Sequence, residues 1–153
     1  GKPINPDKRR CFDTSSLLES EFNNCHLIAW ERKYWDILQD DLNGILFKNL
    51  TRCPMSLSCY QLFRQQALSK GYEQKYEISI SCVFTDSRNE KLINSVVSTG
   101  LNSLPNGWRE LFPNLTFKWA THNDWFSFVK KNNMNGKWDN WINYIESRYI
   151  NID

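Results

Sequence analysis

Three polar side chains, Gln61, Arg64 and Gln65, recur at three- and four-residue steps in the stretch YQLFRQQALSKGY, residues 60–72. That spacing puts them on one side of a helix. Arg offers a planar fork for phosphate oxygens, and Gln both donates to phosphate and accepts from a metal-bound water. Gln66 adds a fourth polar residue on little more than one turn. Such a face would bind a phosphate or a metal-held oxygen. On spacing alone a solvated surface is the simpler reading, because Gln and Arg are good helix formers that need no further reason to be there.

Catalytic chemistry has weaker carriers. A metal-dependent nuclease needs an acidic residue and an E-x-K triplet, the carboxylates holding the cation while the lysine steadies the attacking water or the developing charge. Glu31-Arg32-Lys33 falls inside an amphipathic stretch where its side chains diverge. Glu73-Gln74-Lys75 precedes an apolar alternating stretch, so Glu73 and Lys75 are expected on one strand edge, with Asp86 beyond it as a third candidate. In a chain that is 24% charged such triplets arise by chance, and surface charge is the simpler reading. No GxSxG, Walker loop, dinucleotide fingerprint or HExxH is present. His26 and His122 stand far apart and the five cysteines lack CxxC spacing, so no structural metal and reduced thiols are expected. No cofactor is expected in this chain, and Mg enters only if an active nuclease centre is completed.

The elements that must position these residues fit one domain of 153 residues, expected over 13–153 after a flexible lead-in at 1–12. At 41% hydrophobic and 14% aromatic the chain buries too much to be disordered. A net charge of +2 announces no global attraction to nucleic acid, leaving local patches to supply it. Arg9 and Arg10, beside Lys8, are candidates for nonspecific DNA-backbone contacts, although a solvated arm is the commoner fate of such a run. No long apolar run or charged-then-apolar leader is visible, so a cytoplasmic protein away from membranes is expected.

Caps and periodicity predict a short helix from Asp13, Thr14 or Ser15, and a single amphipathic helix through CHLIAWERKYWDILQDDL broken by Asn43-Gly44. A helix from about Pro54 to Lys70 follows, with Gly71 as its left-handed cap and Leu57, Tyr60, Leu62 or Phe63, Ala67 and Leu68 as its buried stripe. The segment YEISISCVFTD reads as a strand, EKLINSVVSTGLNSL as a helix despite Gly100, and LTFKWAT as a second strand. Thr121 with Asp124 caps the next helix, and a terminal helix is expected to turn Trp138, Trp141, Ile142, Ile145 and Tyr149 inward. Strands alternating with helical crossovers give an α/β fold, a small mostly parallel sheet flanked by amphipathic helices. Two strands are few for a complete sheet.

The stretches LSCYQLFRQQALSKGY, YEISISCVFTDSRNEKLI, GWRELFPNLTFKWATHNDWFSFV and WDNWINYIESRY together resemble the C-terminal half of a restriction-endonuclease-like family in the PD-(D/E)XK nuclease superfamily. The resemblance implies a Gln-x-x-Arg helix after the catalytic strands, an Asp-x-Arg-Asn turn, a further strand and a terminal helix ending in Arg-Tyr. Those features fall on Gln61 and Arg64, on Asp86, Arg88 and Asn89, near Phe117, and on Arg148-Tyr149. The family's catalytic Asp and E-x-K strands belong upstream of that helix, where this chain carries helical sequence instead. Catalysis is therefore not carried over, and only Gln61 and Arg64 are expected to face an active-site cleft. The chain is expected to be completed by a missing N-terminal segment or partner subunit, or to keep binding without cleavage.

Three functions follow as expectations. The first is a DNA-associated module using Arg64, Gln61 and Gln65. The second is a protein-interaction module using the aromatic residues of HNDWFSFV and WDNWINYIESRY, although core packing is the simpler use of such rings. The third is a complete Mg-dependent nuclease built on Glu73, Lys75 and Asp86.

Overall fold

The computed structural model describes residues 8–73, 75–76, 81–85 and 88–150. It is an α/β structure in which two short strands form one parallel sheet. The described chain divides into two compact units. One comprises the residues up to Ser81 together with Glu90–Lys118, and the other Cys82–Asn89 together with Trp119–Asp153.

The first unit is held together by rings. A 3-10 turn, Lys8–Phe12, lies in the segment expected as flexible lead-in. It precedes α1 (Thr14–Glu19), whose start is fixed by the Asp13 carboxylate accepting from the Ser16 amide at 2.8 Å. The long amphipathic helix expected over residues 25–42 is instead two short ones, α2 (His26–Ala29) and α3 (Tyr34–Leu38). Between them Glu31 adopts φ 57°, and the Arg32 amide donates to the Leu27 carbonyl at 2.8 Å. This is the Schellman arrangement, usually made with glycine. α1 ends the same way, with Glu21 at φ 49° and the Phe22 amide on the Leu17 carbonyl at 2.7 Å.

The reward for these two turns is aromatic. They bring Phe22 flat onto Trp35, with ring centroids 3.7 Å apart and planes within 7°. Trp35 then meets Phe63 at 4.6 Å, Phe63 meets Phe112 at 6.0 Å, and Phe112 meets Trp108 at 4.9 Å. Three non-glycine residues in these turns, Glu21, Phe22 and Glu31, have positive φ, each costing about 1–2 kcal/mol, and the buried ring stack as a whole offsets them, since truncating a buried tryptophan alone costs about 3–5 kcal/mol. Core formation therefore overrides the periodicity that favoured one continuous helix.

The apolar piece ILFKNL is α4 (Gly44–Lys48), capped by Asn43. The helix expected from Pro54 starts later: Pro54–Ser56 is a separate 3-10 turn, and α5 runs Tyr60–Glu73. Gly71 lies within α5 and does not cap it. Of the expected buried stripe, Leu62, Phe63 and Ala67 are buried, whereas Leu57 and Leu68 are exposed. Gly100, at φ 97°, ends the helical run that was expected to pass through it. The result is α6 (Glu90–Val97) and α7 (Leu104–Leu111), the second capped by Ser103.

Strand β1 is Ser81–Thr85 and β2 is Phe117–Thr121, with α6 and α7 as the crossover between them. Ile78 and Ile80 of the expected first strand lie outside the described residues.

In the second unit β2 passes directly into α8 (His122–Lys131) through a reciprocal cap. The Thr121 hydroxyl accepts from the Asp124 amide at 3.0 Å, and the Asp124 carboxylate accepts from the Thr121 amide at 2.8 Å. These contacts, led by the backbone amide, hold the Asp124 carboxyl below its ordinary value. α9 (Asp139–Ile145) follows, then a wide turn over Glu146–Ile150. Here the aromatic expectation fails. Ile142 is buried and Ile145 half-buried, but Trp138, Trp141 and Tyr149 are exposed. The cause is size: so few elements cannot enclose both faces of their helices.

Candidate nucleic-acid interface

α5 divides its polar residues between two environments. Gln61, Arg64 and Gln65 are exposed on one face, as their spacing predicts. Gln66 turns the other way and is 1% exposed. Its Nε2 donates to the Thr116 carbonyl at 3.3 Å, while its Oε1 has no hydrogen-bond partner among the described residues. The apparent quartet is thus a surface trio and one core amide. Arg64 has no ion pair among the described residues.

The sequence alone did not associate Arg32, Tyr34 and Tyr60 with that trio. Tyr60 opens α5, one helical turn before Arg64. Its ring lies 6.4 Å from that of Tyr34 on α3. Burial, then the Tyr34 hydrogen bond and the charge of Tyr34, raise the Tyr60 pKa, opposed by the positive charges of Arg32 and Arg64. Arg32 and Arg64 therefore both add positive field at the Tyr60 phenol. Arg32 comes into play through the left-handed Glu31 that separates α2 from α3. A single-helix reading of residues 25–42 conceals it, since the chain turn exists only in the folded unit.

Arg9 and Arg10 are exposed on the Lys8–Phe12 turn. This turn is tied to the core by the Cys53 amide, which donates to the Cys11 carbonyl at 2.7 Å. Arg52, next in sequence, stacks its guanidinium over Phe12 at 4.3 Å.

The catalytic candidates are not assembled as expected. Glu73 is the last residue of α5 instead of a strand-edge residue, and it lies 3.8 Å from Lys70, which also reaches Asp41 at 3.4 Å. Lys75 places its ammonium over the Tyr76 ring at 5.5 Å. Asp86 lies outside the described residues. Among the described residues no three His, Cys, Asp or Glu side chains converge to hold a metal. All five cysteines are free thiols. Cys25, Cys53 and Cys59 are buried, and burial pushes Cys59 up to about 12.

A second surface lies in the second unit, where α8 presents Trp125 and Phe128, and α9 presents Trp141 and Tyr144. Lys137 stands 5.1 Å from the ring of exposed Trp138. Within this unit Arg88 donates to the Tyr149 carbonyl at 3.4 Å, joining two of the motifs that carried the resemblance. Among the described residues no helix is long and apolar enough to cross a membrane.

A family model described as Restriction Endonuclease associating with ARP matches residues 16–150. No curated protein and no solved structure matches the chain.

Proposed function

The chain belongs to the family of restriction endonucleases associating with ARP, and we propose that it acts there as a DNA-associated module, gripping the phosphate backbone through the exposed face of α5. The observation that carries this reading is the exposed face of α5, where Gln61, Arg64 and Gln65 stand together and Arg64 has no ion pair among the described residues. Arginine forks and glutamine amides suit phosphate oxygens, and a restriction-endonuclease family supports a DNA partner. Arg9 and Arg10 add sequence-independent backbone contacts.

The reading keeps the PD-(D/E)XK affiliation and the correspondence to a C-terminal half. Cleavage and its Mg ion are assigned to a centre completed by another segment or subunit, since helices α1 to α4 occupy the positions before α5. Glu73 and Lys75 are read as surface charge, a view supported by the Glu73–Lys70 pair.

Duplex binding by fluorescence anisotropy across a salt series tests this. Wild-type protein is expected to bind at low salt, and Arg64→Ala to weaken binding to unrelated duplexes alike while lowering the salt slope by about 1. Equal binding by the variant would contradict the reading.

A second reading is favoured by the aromatic surface of α8 and α9: the second unit docks a partner protein, in line with a family description that names association with ARP. Trp138→Ala and Trp141→Ala are expected to weaken co-purification with an ARP partner while leaving duplex affinity unchanged. Unchanged co-purification of both variants would remove this reading.

A further inference from the structure

We propose that the C-terminal end of α5 is a stacking site for an unpaired DNA base, made by Tyr72 and Tyr76 beside Lys75. The inference rests on the DNA-binding reading above and deepens it, because it names the kind of DNA preferred: a duplex continued by single-stranded nucleotides. Gln61, Gln65, Leu68 and Tyr72 follow one another at three- and four-residue steps, with Arg64 beside them, so one exposed stripe runs along the helix. Tyr72 lies about 12 Å beyond Arg64 at the helical rise per residue. A stacked DNA strand, with a phosphate roughly every 3.4 Å, covers that distance in about three or four nucleotides.

The two rings are already arranged for such a contact. The Tyr76 and Lys75 amides both donate to the Tyr72 carbonyl, at 2.8 and 2.9 Å, and carry the helical turn past Glu73. The Tyr72 and Tyr76 ring centroids are thereby 5.7 Å apart, and the Lys75 ammonium stands 5.5 Å from the Tyr76 ring. Backbone bonds hold the pair before any ligand arrives, which lowers the ordering cost of binding. In the same unit Phe22, Trp35, Phe63, Phe112 and Trp108 are buried, whereas Tyr72 is 56% exposed and Tyr76 52%. Core packing does not account for the pair.

Charge selects the occupant. The exposed stripe and the turn that ends it carry Arg64 and Lys75 and no carboxylate, while Glu73 lies 3.8 Å from Lys70 on another side of the helix. Exposed rings flanked by cations suit a nucleotide strand, whose bases stack on aromatic faces in any sequence while its phosphates meet the charges. An apolar peptide would leave both cations unused. Bases inside a duplex are already stacked on both faces, so the one received here comes from a single-stranded stretch.

Fluorescence anisotropy with the full chain tests this, using a blunt duplex, the same duplex with a short single-stranded tail, the tail strand alone, and a tailed duplex whose tail is abasic. The normal tail is expected to tighten wild-type binding about tenfold over the blunt duplex, and the abasic tail, equal in charge, to lose that gain. Tyr72→Phe is expected to keep the gain, and Tyr72→Leu and Tyr72→Ala to lose it, which separates an aromatic face from a merely apolar one. A fluorescent base analogue in the tail should dim on binding wild type and stay bright with Tyr72→Leu. Tyr72 is exposed, and unchanged far-UV circular dichroism establishes that its variants fold.

Equal affinity for blunt and tailed duplexes, or an abasic tail as good as a normal one, would overturn the stacking site while sparing the DNA reading. A tail gain that survives in Tyr72→Leu, with weakened co-purification of an ARP partner, would make the pair a protein contact and overturn the proposal. If the tail strand alone binds and the blunt duplex does not, the duplex grip falls and the stacking site stands. If no ligand binds at low salt, both are overturned.

Discussion

Trp35 and Trp138 both lie in sequence that reads as amphipathic helix, yet they meet opposite fates. Trp35 is 1% exposed, flat against Phe22, with its Nε1 donating to the Cys25 sulfur at 3.3 Å. Trp138 is 49% exposed, and its described ring neighbour is the ammonium of Lys137. The difference lies in what surrounds them. In the first unit α1, α3, α4, α5 and α7 close around a shared set of rings, whereas the described residues of the second unit form two α-helices, two shorter helical turns and strand segments. A helical stripe of aromatics therefore states that a face is apolar, not that anything covers it.

The contrast is broken most forcefully at Trp35. Trp35→Ala is expected to destabilise the first unit by about 3–5 kcal/mol, because the cavity sits between Phe22, Phe47 and Phe63. Urea unfolding with matched m-values measures it, and a loss below about 1 kcal/mol would show that the ring ladder does not carry the core. The thiols offer a second contrast. Cys82, in the second unit, is exposed, while burial raises the pKa of Cys53 and Cys59 and keeps them protonated. An aromatic disulfide reagent is expected to react rapidly with Cys82 in the native protein and with Cys25, Cys53 and Cys59 only on unfolding. Fast reaction of those three would place them nearer solvent than the fold has them.

Within the second unit, Thr121→Ala removes the hydroxyl side of the α8 cap and is expected to cost about 1 kcal/mol. The Asp124 carboxylate contributes in its ionised form, since its folded pKa lies below its unfolded one. Its contribution is present above the ordinary carboxyl value of about 3.9 and is lost as pH falls through the folded pKa. Amide exchange of α8 should quicken over that acid window in wild type, and lose that pH dependence in Asp124→Asn. The smallest effect is expected at the Lys130–Glu146 pair, whose side chains are 46% and 31% exposed. Solvent screening limits it to under about 1 kcal/mol, and a double-mutant cycle measures it.

Much of this fold is legible in the sequence where the signal is local. The Asn43 and Thr121 caps, the α/β class and the second strand at Phe117–Thr121 all rest on residues within a few positions of one another. What escapes is set by distant partners. Nothing near Glu21 or Glu31 marks a left-handed residue, because the stacking of Phe22 on Trp35 supplies the compensation. Gln66 looks like its neighbours in α5 until the Thr116 carbonyl, far along the chain, turns it inward. The candidate site divides in the same way. Gln61, Arg64 and Gln65 follow from helical spacing, whereas Tyr34 meets Tyr60 beside them only once α3 packs on α5.

The central claim is that α5 and the adjoining turn receive DNA, and that α8 and α9 do not. Backbone amide shift mapping with an unmodified duplex at low salt tests this most directly. The account expects perturbed signals around residues 60–66 and 31–34, fading together as salt rises. Perturbations confined to residues 122–145, or none at any duplex concentration, would contradict it.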